Sequence, residues 1–234
     1  MIEPRLVIAD SAEELLTVAA KDFAQLVTEV LDEKPVANIV LTGGSLGVAL
    51  IGEISKLPLD LSRIRFLFGD ERFVALDHKD RNEQLGIGMF SELATRSLLR
   101  YPDANTDLLN AQRMMNKAMT VSFGRADAKS EVFDLVILGV GPDGHVASLF
   151  PGHENSGEWI VAESDSPKPP AERLSLSFTA LNRANRVWFL ASGAQKAPVI
   201  GDALNKADCN LPLARVRGLQ ETSWYLDKEL SDAL

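Results

Sequence analysis

Four short segments carry residue types that could do chemistry, and each follows an apolar run. Thr42-Gly43-Gly44-Ser45 follows residues 37–41, and Gly69-Asp70-Glu71-Arg72 follows 63–68. Gly141-Pro142-Asp143-Gly144-His145 follows 133–140, and Ser192-Gly193-Ala194-Gln195-Lys196 follows 186–191. Glycines let backbone amides approach a ligand, and a helix N-terminus behind them favours an anion. Gly43, Gly44 and Ser45 can therefore cradle a phosphate, with a plain tight turn as the competing reading. A histidine beyond a buried strand and a glycine suits proton transfer near neutrality. His145 could equally cap Ser148 or a backbone carbonyl, and the residues alone leave both readings open. Arg72 and Lys196 are candidate anion clamps. A cation near a helix start opposes the helix dipole, which makes sense if an anion sits beside Lys196. Asp70 and Glu71 are adjacent at a strand end, where successive side chains diverge, so one of them is expected to face the site.

Two further motif matches are weaker. Gly43-Gly44-Ser45-Leu46-Gly47 spells G-x-S-x-G, which would make Ser45 a nucleophile on an elbow. Too little sheet precedes it, and the histidines lie too early in the chain, for that fold. Gly139-Val140-Gly141-Pro142-Asp143-Gly144 spells G-x-G-x-x-G. There Pro142 removes a backbone donor, and Asp143 would oppose a pyrophosphate with like charge. The three histidines and Cys209 have no zinc spacing. Neither a metal nor a cofactor is expected.

These segments need a frame, and the 234 residues can supply one. The chain is 46% hydrophobic and 24% charged, which is ordinary globular composition. Its formal charge of -9 argues against nucleic acid as a partner and requires any anion site to be local. A single cysteine excludes an intrachain disulfide and fits a reducing, cytoplasmic setting. Neither a signal peptide nor a membrane span is evident. Strands are expected at 6–9, 37–41, 63–68, 133–140, 173–178, 186–191 and 223–226. Helices are expected from Asp10 or Ser11 to Pro35, from Ser45 to Lys56, over 82–99 and over 111–126, and after Lys196. Residues 164–170 read as a surface loop. Strands alternating with helices predict an α/β fold: a mostly parallel sheet with helices on both faces, Rossmann-like and three-layered, in a single domain over 1–234. Ligands in such sheets bind beyond the carboxyl ends of the strands, where the four segments would converge.

With these residues assembled, the chain resembles the glucosamine-6-phosphate isomerase/6-phosphogluconolactonase family over about residues 5–227. The most specific match is the continuous string from Asp134 to Gly152, which contains Gly141-Pro142-Asp143-Gly144-His145. Ser148-Leu149-Phe150 after the histidine resembles the lactonase branch, because the deaminase branch has a phenylalanine-asparagine-glutamate run there. Asp70-Glu71-Arg72 with Asn82, Gly193-Ala194-Gln195-Lys196 and Leu211-Pro212-Leu213-Ala214-Arg215-Val216 resemble further family motifs. Gly43-Gly44-Ser45 resembles the phosphate loop, but Leu46-Gly47 stands where the family usually has threonine-proline.

The resemblance implies hydrolysis of 6-phospho-D-glucono-1,5-lactone, a small sugar-phosphate lactone, in the oxidative pentose phosphate pathway. His145, Asp143 and Asp70 are then the expected catalytic residues. Gly43, Gly44, Ser45, Arg72, Asn82, Gly144, Lys196 and Arg215 are expected to bind substrate. Amides of the 141–144 loop are expected to face the oxyanion. The chain would be a monomer or a weak homo-oligomer. Two other readings stay open: a sugar-phosphate isomerase or deaminase with a carboxylate such as Asp70 as base, and a non-catalytic sugar-phosphate sensor.

Overall fold

An apolar strand with no polar alternation must be covered on both faces and paired on both edges. The computed structural model, which describes residues 3–87, 98–126, 130–153 and 158–234, meets that need with one parallel sheet. In chain order the strands are β1 (Arg5–Ala9), β2 (Ala37–Leu41), β3 (Ile64–Phe68), β4 (Asp70–Arg72), β5 (Phe133–Gly139), β6 (Ile160–Glu163), β7 (Arg173–Leu176), β8 (Ala184–Ala191) and β9 (Glu221–Asp227). Six of them form the main sheet in the order β1-β9-β8-β5-β2-β3. Interior β5 is buried along nearly its whole length, from Phe133 to Leu138.

Helices flank this sheet. Helix α1 (Ala12–Glu33) starts because the Ser11 hydroxyl accepts from the Glu14 amide at 3.1 Å, and the Glu14 carboxylate accepts from the Asp10 amide at 2.9 Å. Ser11, of the two candidates, is the cap. Leu15, Ala19, Phe23, Leu26, Val27 and Val30 then form its buried stripe. Helix α2 (Gly44–Ile54) follows β2, and α3 (Asn82–Ile87) follows β4. The rest of the helix expected over 82–99, at 88–97, lies outside the described residues. Helix α4 (Leu108–Phe123) begins earlier than its apolar pattern suggests, because Asp107 caps it, and stops at Gly124, whose φ is 79°. The short α5 (Phe178–Leu181), α6 (Ala197–Asn205) and α7 (Lys228–Ser231) complete the set among the described residues. None of the described helices is long and apolar enough to cross a membrane.

The structure adds a feature that the periodicity did not show. β4, β7 and β6 form a second, antiparallel sheet. Residues 173–176, expected among the strands of one mostly parallel sheet, belong to it and are buried throughout. Gly69 joins the two sheets: its amide donates to Leu41 O at 2.8 Å, and its carbonyl accepts from the Leu176 amide at 2.8 Å.

The strand order sets where a ligand can enter. From β2 the chain steps outward to β3, then returns to place β5 on the other side of β2. This reversal is a topological switch point, where the loops after neighbouring strands diverge and leave a crevice. The Thr42 segment follows β2 and the His145 segment follows β5, so the two flank that crevice. Leu138 is fully buried on β5. Leu138→Ala is expected to cost about 2–5 kcal/mol in urea denaturation. A cost below about 1 kcal/mol would show that β5 is not the packing centre.

Candidate active site

A cleft of about 340 Å³ opens at the switch point. It is lined by all four segments, and also by residues of the loop between β6 and β7. On one wall, α2 begins at Gly44 with Gly43 as its cap residue and no side-chain cap. Its first amides are therefore left for a ligand, and an anion is the natural partner. Gly44 has φ of 75°, a conformation that favours glycine. A Cβ on Gly43 would fall 2.0 Å from Asn82 Oδ1, so a side chain there would drive Asn82 from its place. The chain's departure from the family pattern also has a steric reading. A Cβ on Gly47 would lie 2.3 Å from Thr42 O, so glycine lets α2 start close against the Thr42 carbonyl.

Across the floor, Asp70 and Glu71 face opposite ways. Asp70 lines the cleft. Its Oδ2 accepts from the Ser148 hydroxyl at 2.6 Å and lies 3.8 Å from the Arg173 guanidinium. Its Oδ1 and backbone carbonyl face Asn82 Nδ2, at 3.4 and 2.8 Å. Glu71 is buried behind it and accepts from the amides of Arg72, Asn82 and Glu83 at 2.7–2.9 Å. Arg81 lies fully buried between Glu71 and Glu83, 3.8 and 3.3 Å from their carboxylates. Burial pushes Glu71 up to about 7, against the amide bonds and Arg81 that favour its charged form. This buried cluster fixes Asn82, whose neighbours in sequence are both held. Arg72 donates to the Asp80 carbonyl, and its buried Nε has no hydrogen-bond partner among the described residues.

The loop after β5 presents His145. Its ring is largely covered, stacks 4.8 Å from Phe150, and meets Asp143 Oδ1 through Nδ1. Burial works to raise the Asp143 carboxyl, but the His145 charge and its hydrogen bonds outweigh that and hold it below its ordinary value. An ionised Asp143 makes Nδ1 the protonated nitrogen and leaves Nε2 as the basic one. A Cβ on Gly141 would sit 2.1 Å from the His145 ring, so the glycine makes room for the imidazole. Two of the amides expected to meet an oxyanion are taken up inside the loop. The Gly141 amide donates to His145 O at 2.9 Å, the Gly144 amide donates to Gly141 O at 3.0 Å, and Pro142 has none. The loop needs those donors to hold its own shape.

Lys196 lines the cleft from the short turn before α6. Burial lowers its ammonium, Asp227 opposes that, and Lys168 lowers it further. Gly43, Gly44, Ser45, Asp70, Arg72, Asn82, His145 and Lys196 thus come together around one cleft. Asp143 stands behind His145. Gly144 turns the loop with φ of 84° and packs under Leu211 and Leu213. Arg215 is not brought in: its guanidinium stacks 3.9 Å from the Phe178 ring, outside the cleft lining. The sequence pattern did not reveal Ser166, Lys168 and Arg173. The first two lie in a proline-rich stretch without periodicity. Arg173 opens an expected strand, and nothing in that pattern marks it as a cleft residue.

Two expectations follow. Glu71 binds its proton more tightly in the folded chain than in the unfolded one, where a glutamate titrates near its ordinary value of 4.5. The stability it contributes is therefore fully present below that value and is lost as pH rises through about 7. Glu71→Gln should flatten the fall in urea midpoint between about pH 5 and 8, and an unchanged slope would place that pH dependence elsewhere. Gly141→Ala should displace the imidazole and lower the turnover of any reaction that uses it by ~100-fold or more, with thermal unfolding little changed. Full turnover in that variant would remove His145 from the chemistry.

The fold and cleft have counterparts in known proteins. Residues 10–224 match the family model described as glucosamine-6-phosphate isomerases/6-phosphogluconolactonase. The chain is 30% identical over 234 residues to 6-phosphogluconolactonase of Mycobacterium leprae, covering 95% of each. It is 32% identical over 240 residues to that of Mycobacterium tuberculosis, covering 97% of each. The crystal structure of 6-phosphogluconolactonase from Thermotoga maritima superposes with a TM-score of 0.85 at 26% identity, over 97% of this chain and 100% of that one. With the family model spanning nearly the whole chain and these relatives matched end to end, the protein belongs to the glucosamine-6-phosphate isomerase/6-phosphogluconolactonase family.

Proposed function

We propose that this protein is the lactonase of its family and hydrolyses 6-phospho-D-glucono-1,5-lactone to 6-phosphogluconate, with His145 as general base. The observation that carries this is the Asp143–His145 pair: it leaves a basic Nε2 on a cleft whose other walls are a bare helix N-terminus and several cations. The 6-phosphate docks on the first amides of α2 at Gly43, Gly44 and Ser45, with Lys196 and Arg72 offsetting its charge. His145 Nε2 takes a proton from water as the water oxygen bonds to C1. The same proton then goes to the ring oxygen as the C1–O bond breaks and the C1 carbonyl re-forms, giving a hydroxyl and the open carboxylic acid, which releases its remaining proton to solvent as the carboxylate. Asp143 holds the imidazole in the productive tautomer and supports its positive charge.

The deaminase reading would use Asp70 to abstract a proton next to a carbonyl. Asp70 is poorly suited to that role: Ser148 and Arg173 face one oxygen and Asn82 the other. It is better suited to hold the cleft's polar groups in place. The relatives named above carry the lactonase name, which favours the same choice.

The test is lactone turnover at low temperature and mildly acidic pH, with the lactone made in place by a dehydrogenase. The wild type is expected to exceed the spontaneous rate strongly. His145→Ala is expected to lose ~10²–10⁴-fold in kcat, the usual worth of general base catalysis, without a matching change in KM. Decay no faster than buffer, together with ammonia release from glucosamine 6-phosphate, would overturn the lactonase reading in favour of deamination.

A further inference from the structure

The loop between β6 and β7 is long, rich in proline and polar, and looks like an idle surface connection. Its backbone is nevertheless tied down. The Arg173 guanidinium donates to Lys168 O at 2.9 Å through Nη2 and to Pro170 O at 3.1 Å through Nε. The Ser166 hydroxyl also donates to Lys168 O, at 3.1 Å, and the Ser166 amide donates to Ala171 O at 3.1 Å. Arg173 is itself buried, paired with Asp70 and set in register opposite Arg72 in the small sheet. A buried guanidinium anchored on a cleft carboxylate thus carries the loop as a fixed strap. The strap reaches the cleft with Ser166, Lys168 and Pro169.

Lys168 and Lys196 come from opposite sides, one from the small sheet and one from the main sheet, yet both line the same cleft. They are close enough that the Lys168 charge lowers the Lys196 ammonium. Two like charges held together by separate, well-anchored elements repel each other across the cleft. An anion between them removes that penalty. A dianionic phosphate can accept from both ammonium groups while the α2 amides hold its other oxygens.

We propose that Lys168 is a specificity-determining residue that grips the substrate phosphate together with Lys196, and that Arg173 is the positioning residue that holds Lys168 there. The proposal rests on the lactonase reading. The strap then serves to discriminate a phosphorylated lactone from the same sugar lactone without phosphate.

Two substrates and one ligand test it. Lys168→Ala should raise KM for 6-phospho-D-glucono-1,5-lactone by ~10-fold or more, the effect of one charge-assisted hydrogen bond, with kcat within about twofold. Kinetics with unphosphorylated D-glucono-1,5-lactone should not change, so the selectivity ratio falls by the same factor. Lys168→Arg should recover part of it. Binding of inorganic phosphate, measured by calorimetry, should weaken in Lys168→Ala, and this readout does not depend on turnover. An unchanged KM and unchanged phosphate binding would overturn the role of Lys168 while leaving the lactonase reading intact. Equal losses on both lactones would place Lys168 on the reacting ring and also overturn it. Wild-type decay at the buffer rate would sink the lactonase reading itself, and the phosphate titration would still decide whether Lys168 holds an anion.

Discussion

The Asp70 carboxylate ties together three separate segments of the chain. It is nearly buried, and a buried charge left without partners costs several kcal/mol. Its partners are Ser148 from the loop beyond β5, Asn82 from the start of α3 and Arg173 from β7. Each brings something with it. Ser148 fixes the run that follows His145. Asn82 packs against Gly43 and so against the anion cradle. Arg173 carries the strap that holds Lys168. Satisfying one carboxylate therefore sets the relative positions of base, cradle and cations. The geometry of the cleft is a consequence of partnering one buried charge.

Behind that carboxylate, the alternation of side chains along β4 decides which acid works and which supports. Successive residues point to opposite faces. Asp70 turns to the cleft, and Glu71 turns to the amides of Arg72, Asn82 and Glu83. A carboxylate that receives amides of Asn82 and Glu83 at the start of α3 both stabilises that helix start and locks the side chain of Asn82 between two fixed neighbours. The charge distribution follows the same logic on a larger scale. The chain is acidic, at -9, while Arg72, Arg173, Lys168 and Lys196 are gathered at one cleft. Over ~10 Å, about the reach of a charge in physiological salt, the local cations outweigh the distant acids.

Most of the frame is legible in the sequence because it rests on burial. The uninterrupted run that becomes β5 and the stripe of α1 are written in residue type and spacing, and the cap of α1 is narrowed there to Asp10 or Ser11. So are the loops that leave β2, β5 and β8 at the carboxyl edge, since strands that alternate with helices end there; the segment after β3, read as a fourth loop, is instead strand β4 of the small sheet. What was not legible depends on contacts between distant residues. The small antiparallel sheet is made of strands of three or four residues, too short to show a period. Lys168 sits in a stretch whose composition says only that it is a loop, and its place over the cleft comes from Arg173, further along the chain. Arg215 shows the converse case. Its motif matched the family, but the Phe178 ring captured its guanidinium. Glycine-rich loops also suggest free amides, and here Gly141 and Gly144 use theirs to close the loop.

On the lactonase reading proposed above, the substrate opens slowly without help, so the chemical demand on this site is modest. One base worth ~10²–10⁴ is most of what the reacting carbon needs. The larger problem is to hold that carbon still, and the binding energy for this must come from the far end of the substrate. The sheet supplies the distance. β2 and β5 are neighbours, ~4.8 Å apart, and the anion cradle and the base sit on the loops that leave them. Between Ile39–Leu135 and Val40–Val136 the two strands are locked by parallel pairing. Beyond that pairing, the Gly139 amide donates to Thr42 Oγ1 at 3.1 Å and holds the roots of both loops together. A phosphate fixed at the start of α2 therefore fixes the position of a carbonyl before His145 with little freedom left to remove. On the proposed reading, rigidity at the junction of two strands, more than any feature of the histidine itself, is what would let a single imidazole serve.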